Sequence, residues 1–282
     1  MSYQNSEMYI GTRGEKFKSL IESVVSKGNV SPKFMKALTS EESMKEYSRA
    51  FTSTSANQEN NYEIYEQLGD GYFHSFIVWY SYSRFPQLNC TKGVKVVARI
   101  KINYSSKQTF HIIAKKLGFW PFISASVEER AINEQSLLED VFESFLGVTG
   151  FLIEKNSVPG VGYAVIYSIL KNIFDDIQIS LSYEDLYDAK TRLKETFDKF
   201  EQELGGRESY EINYNETERL NVTTIYIKNK KIPKYQWKVL AQGKATGQKE
   251  SGQIAAKNAL EILKSNGIFK EPPEEYKFFC AV

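Results

Sequence analysis

Cysteine and histidine are nearly absent from this chain of 282 residues, which has two of each. Cys90 and Cys280 give neither a disulfide framework nor a metal-ligand spacing, so a reducing compartment is expected. His74 and His111 are too few and too isolated for a zinc site. No Ser/His/Asp or Cys/His arrangement can be assembled, and no phosphate-cradling glycine loop is found. No N-terminal apolar run resembles a signal peptide, and nothing approaches the roughly 18 uninterrupted apolar residues of a membrane span. The chain therefore reads as soluble and intracellular, cytoplasmic, with no membrane partner. An excess of one charge is missing as well: 36 Lys and Arg face 35 Asp and Glu, a net +1. That balance argues against a chain basic all over and directs attention to local patches.

What the chain does have is two short acidic clusters, Glu66 with Asp70 and Asp140 with Glu143. Residues at i,i+4 or i,i+3 share one helix face with Cβ atoms roughly 5–6 Å apart. Two such helices packed face to face would converge four negative charges. Like charges that close require a neutralising cation or retained protons. An all-oxygen donor set of this kind suits a hard divalent ion, Mg²⁺ with Mn²⁺ as a substitute, and such a site suits phosphodiester hydrolysis.

The same windows carry a family pattern. Asn61-Tyr62-Glu63-Ile64-Tyr65-Glu66-Gln67-Leu68-Gly69-Asp70 resembles the ribonuclease III signature N-[EY]-E-R-L-E-F-L-G-D. Leu137-Leu138-Glu139-Asp140-Val141-Phe142-Glu143-Ser144-Phe145-Leu146-Gly147 resembles that family's second acidic motif, L-A-D-x-x-E-A-x-x-G. The wording from Tyr65 to Pro86 is similar to homologues from large DNA viruses. The resemblance makes Glu66, Asp70, Asp140 and Glu143 the expected metal-binding and catalytic acids, with Glu63 a supporting acid. Ile64, Tyr65 and Gln67 replace the family's Arg, Leu and Phe at positions that shape packing and partner contact. Glu139 is expected to point to solvent, since its neighbour Asp140 cannot share its face.

The expected fold class is multidomain, α and α+β: an all-helical ribonuclease III endonuclease domain followed by an α-β-β-β-α double-stranded-RNA-binding domain. The boundaries are 1–49 for an N-terminal helical elaboration, 50–177 for the catalytic domain, 178–185 for a linker, 186–266 for the RNA-binding domain and 267–282 for an extended tail. Periodicity predicts a helix from Tyr62 to Tyr82 burying Tyr62, Tyr65, Gly69, Phe73, Ile77 and Tyr80. Helices follow at Gly93–Tyr104, Ser106–Leu117, around Asp140 and at Val161–Ile177. Beyond the linker come a helix over Leu186–Leu204, strands at Tyr210–Tyr214, Thr223–Lys228 and Tyr235–Gln242, and a helix over Ser251–Ser265 facing inward through Ile254, Ala255, Ala259, Ile262 and Leu263. Trp79, Trp120 and Trp237 are expected in the core. Lys107, Lys115, Lys116 and Arg130 are expected to solubilise helices.

Asp188-Ala189-Lys190-Thr191-Arg192-Leu193-Lys194-Glu195 resembles the opening D-x-K-T-x-L-Q-E of a double-stranded-RNA-binding domain. Gly243-Lys244-Ala245-Thr246-Gly247-Gln248-Lys249 with Ala255-Ala256-Lys257-Asn258-Ala259-Leu260 resembles its closing G-x-G-x-S-K-K…A-A-x-x-A-L. The resemblance implies RNA contact through Thr191, Glu195, Lys244, Gln248 and Lys249; the family's loop between the first two strands is replaced by Asn215–Val222. Charge points the same way. Lys228, Lys230, Lys231, Lys234, Lys238, Lys244, Lys249, Lys257 and Lys264 are opposed only by Glu250 and Glu261.

The family resemblance implies a homodimer through the catalytic domain that hydrolyses double-stranded RNA to staggered 5′-phosphate and 3′-hydroxyl ends, in RNA processing or in suppression of RNA silencing. The competing expectation is a catalytically inactive double-stranded-RNA binder that sequesters RNA or scaffolds a partner.

Overall fold

The computed structural model describes residues 7–228 and 237–280. Lys230, Lys231, Lys234 and Tyr235 lie outside the described residues, as do the side chains of Lys228 and Trp237. The chain divides into two units, 1–179 and 180–282.

The first unit is helical, with a two-stranded ribbon. Its elements are β1 (Met8–Tyr9), α1 (Glu15–Val25), α2 (Pro32–Leu38), α3 (Glu41–Ala50), α4 (Glu63–Arg84), α5 (Gly93–Tyr104), α6 (Lys107–Lys116), β2 (Ala125–Ser126), α7 (Val127–Ile132), α8 (Glu134–Lys155) and α9 (Val161–Asp175). Side-chain caps set several starts: Ser31, Ser40, Ser106 and Ser126 each accept a backbone N–H from the first turn they precede. At α4, Asn61 Oδ1 accepts the Glu63 N–H at 3.2 Å. The apolar stripe expected on α4 is buried, and so are Leu137, Leu138, Val141, Phe142, Phe145 and Leu146 of α8.

The N-terminal stretch, from residue 7 to residue 49, packs into the helical unit. Met8 and Tyr9 pair antiparallel with Ser126 and Ala125. The Arg13 guanidinium donates to the Phe122 carbonyl at 2.6 Å and to Ser124 Oγ at 3.0 Å. Rings continue this into the core, from Phe17 to Phe51, Phe51 to Phe119 and Phe119 to Phe145, with centroids 5.0–5.4 Å apart. A two-residue strand has no period of its own, so its partner was invisible in the sequence. Trp79 also departs from expectation: it is 66% exposed. Trp120 lies under the Arg130 guanidinium, 3.8 Å from its centroid, and the same group covers Tyr9 at 3.9 Å. Arg130 therefore packs within the unit. Among the described residues, no helix is long and apolar enough to cross a membrane.

The second unit contains α10 (Tyr183–Leu186), α11 (Ala189–Lys199), α12 (Glu201–Leu204), β3 (Ser209–Asn215), β4 (Leu220–Lys228), β5 (Trp237–Ala245), α13 (Gln248–Ser265) and α14 (Glu274–Cys280). The sheet is antiparallel in the order β3-β4-β5. The expected long helix from Leu186 is divided because Asp188 Oδ1 accepts the Thr191 N–H and restarts the helix at Ala189. The stretch read as a loop, Asn215–Val222, is half strand: pairing runs to Asn215↔Leu220 around a tight turn over 216–219, which Arg219 closes at φ 53°.

Helix α13 lies on β5 so closely that a Cβ on Gly243 would meet the Ala255 nitrogen at 2.3 Å. Only small side chains fit that approach, so α13 buries Ala255, Ala256 and Ala259 with Leu263. Ile254 and Ile262, expected inward, are 37% and 41% exposed.

Part of the expected linker and tail is also ordered. Tyr183 of α10, Tyr187 and Tyr276 of α14 form a ring cluster with centroids 4.8–5.6 Å apart. Neither segment has enough length to show a period, and each is held by aromatic contact with the other.

Candidate active site

The crossing of α4 and α8 is made backbone to backbone. A Cβ on Gly69 would lie 1.8 Å from the Glu143 carbonyl oxygen, and one on Gly147 would lie 1.9 Å from that of Tyr65. Glycine at both positions lets the helices touch. Glu66 and Asp70 flank Gly69 on α4, while Asp140 and Glu143 precede Gly147 on α8. The close approach therefore places the two acidic pairs against each other.

Electrostatics show the result. The Glu143 carboxyl is buried, and burial pushes it up to about 8, with the charges of Asp70, Glu139, Glu66 and Asp140 adding to the rise. Glu66 is pushed up to about 7 by burial, then by Asp140, Glu139 and Glu63, against a lowering influence from Lys107. Burial also raises Asp140, while the Tyr62 hydroxyl, donating to its Oδ2 at 2.8 Å, lowers it. Asp70 is more open, its Oδ2 3.3 Å from His74 Nδ1. All four expected acids thus act within one field. Among the described residues, no three or more His, Cys, Asp or Glu side chains are drawn in to the spacing of a formed ion site.

Glu63 stands exposed on the first turn of α4 and reaches the centre through its effect on Glu66. Glu139 corrects the expectation that it faces solvent: its side chain is 13% exposed, and its Oε2 lies 2.7 Å from Lys107 Nζ, an ion pair poorly aligned as a hydrogen bond. The i,i+4 relation of Glu139 to Glu143 was the signal for it. Lys107 was expected only to solubilise α6, and instead brings an ammonium into the acid field. Tyr62 was read as core; its ring is buried, and its hydroxyl is committed to Asp140. Behind it, Ser53 and Ser55 donate to Glu129 Oε2 at 2.7 and 2.5 Å.

In the second unit the expected RNA contacts separate into two groups. The Thr191 hydroxyl donates to Asp188 Oδ2 at 2.6 Å, as part of the cap. Glu195 accepts from the Tyr183 hydroxyl and lies 2.5 Å from Lys270 Nζ, so it is engaged within the unit. Gln248 and Lys249 stand exposed on the first turn of α13, while Lys244 on β5 is 2.7 Å from Glu218. Gln253 links the groups by donating to Asp188 and accepting from the Lys190 N–H.

Comparison with known proteins gives the class of this helical unit, whose two central helices cross at glycines and carry paired acids. The family model described as the ribonuclease III domain matches residues 63–150. A ribonuclease 3 homologue of Invertebrate iridescent virus 6 is 39% identical over 99% of this chain and 98% of its own length. One from Frog virus 3 (isolate Goorha) is 41% identical over 81% of this chain, which spans 58% of that relative. Among solved structures, the nuclease domain of ribonuclease III from Campylobacter jejuni is 23% identical over 52% of this chain and 99% of that domain, with a TM-score of 0.42. The chain belongs to the ribonuclease III family and is an endoribonuclease.

Proposed function

We propose that this chain hydrolyses double-stranded RNA with a divalent cation and leaves staggered ends bearing 5′-phosphate and 3′-hydroxyl groups. The observation that carries the reading is the shared field of Glu66, Asp70, Asp140 and Glu143 across the glycine crossing. The donor set consists of carboxylate oxygens with a surplus of negative charge, which fits a hard ion such as Mg²⁺, with Mn²⁺ as a substitute. Those four residues would hold it, and when bound it supplies activation of water and charge balance at the leaving 3′ oxygen. The chain's own contribution is placement. Tyr62 orients Asp140, and the protein keeps Glu143 and Glu66 protonated more readily than free carboxylates, which relieves repulsion within the quartet.

The second unit fits a double-stranded-RNA-binding domain in its helix, three-stranded sheet and helix order. Gln248 and Lys249 at the start of α13, with Lys244 and Thr191, would meet phosphates and the minor groove. Glu195, held by Tyr183 and Lys270, would need to exchange partners to contact RNA.

Family membership also supports a homodimer, each subunit cutting one strand. The surface that suits it is the outward stripe of α4. Ile64, Leu68 and Trp79 are 53%, 40% and 66% exposed there, beside an open groove of about 500 Å³ that Tyr72 and Tyr163 help to line.

Replacing Glu143 with Gln tests the assignment. Incubation with a long RNA duplex and Mg²⁺ should show cleavage abolished and duplex binding retained, while the parent chain shortens the RNA with Mg²⁺ and not with chelator. Full activity in E143Q would remove Glu143 from the site, and an intact duplex with the parent chain would favour a binder without chemistry.

A further inference from the structure

A fifth carboxylate, Glu139, lies beside the four acids at the crossing of α4 and α8 and is paired with α6. Glu139 lies one turn before Glu143 and raises Glu66, Asp140 and Glu143 alike. Lys107 covers it from the solvent side: Nζ is 2.7 Å from Glu139 Oε2, and the lysine side chain is 60% exposed where the glutamate is 13%. Lys107 opens α6, whose start is capped by Ser106. One turn further on, Phe110 packs on Phe73 of α4 at 4.6 Å and on Phe142 of α8 at 5.3 Å. The backbone from which the ammonium extends is therefore wedged against both acid-bearing helices. An exposed ion pair ordinarily contributes little. This one differs because its acid is largely covered and its lysine arises from a packed turn.

We propose that Lys107 is a positioning residue of the endonuclease site: it pins Glu139 to α6 and so keeps a fifth carboxylate out of the set that faces a divalent cation. The inference rests on the reading that Glu66, Asp70, Asp140 and Glu143 hold that ion. Loss of the ammonium would release an extra oxygen donor and remove a positive charge, and both changes favour cation binding. The released acid would at the same time disturb the geometry presented to the scissile phosphate.

The test is a calorimetric titration of Mn²⁺ into the full chain without RNA, for the parent, K107M, K107R, E139Q and K107M/E139Q. K107M should bind Mn²⁺ several-fold more tightly and yet cleave duplex RNA more slowly at saturating Mg²⁺. K107R should match the parent. In the E139Q background the K107M change should tighten binding far less, because no carboxylate is left to release; such non-additivity is the signature of a direct pair. Parent-like affinity in K107M, or strictly additive effects, would overturn the pinning. Failure of the parent chain to bind Mn²⁺ would instead overturn the metal reading, and the pinning with it. If K107M does not fold by circular dichroism, K107A decides: it should bind Mn²⁺ several-fold more tightly than the parent, and unchanged affinity would overturn the proposal.

Discussion

Glu143 and Glu66 sit in the folded protein at about 8 and about 7, against an ordinary value of 4.5 for each. Below roughly pH 4.5 both carboxyls are protonated whether the chain is folded or not. As pH rises, the unfolded chain ionises first, because the folded state binds more protons and stability falls with pH. The loss should run from about pH 4.5 to about pH 8 and then level off. Urea midpoints measured in chelator should decline over that window, and E143Q should decline less. A midpoint that rose with pH would contradict the burial of these acids. Asp140 is protected from the full effect by the Tyr62 hydroxyl.

At the level of elements, the glycines of α4 and α8 decide how near the acids come. Gly147→Ala would put a Cβ 1.9 Å from the Tyr65 carbonyl, so the helices must part. The expected cost is about 1–3 kcal/mol in urea unfolding, as for other overpacked sites. Cleavage should suffer more, since a displacement of about 1 Å can cost roughly 100-fold in rate. Gly71 is the control, because a Cβ there meets nothing within 4 Å. Gly71→Ala should stabilise the chain by about 1 kcal/mol through helix propensity alone. Equal effects at the two positions would mean that contact at the crossing is unimportant.

For the whole molecule, two surfaces carry expectations. Trp79→Glu should leave the helical unit folded and give a monomer by sedimentation, while the parent sediments as a dimer; a dimeric variant would move the interface away from α4. Lys249→Ala should weaken duplex binding across sequences and lower the slope of log affinity against log salt by about one unit. An unchanged slope would take Lys249 out of contact with phosphate.

Much of this protein is written in short-range spacing. The i,i+4 and i,i+3 acids, the buried stripe of α4 and the helix–strands–helix order of the second unit follow from helix and strand periods, which any stretch of sequence displays by itself. Where two apolar stripes compete, the period cannot choose. Ile254 and Ile262 lost to the alanine face of α13 because Gly243 brings β5 so close, and Trp79 stayed outside because it shares the outward stripe of α4. Contacts between distant residues belong to the tertiary structure alone: the pairing of Met8 with Ser126, the tyrosine cluster of α10 and α14, and Lys107 on Glu139. Sequence by itself determined which acids exist and which face of each helix carries them. Their meeting was decided by the depth at which α4 and α8 cross, since a long-range contact depends on where two surfaces touch, and local spacing does not encode that.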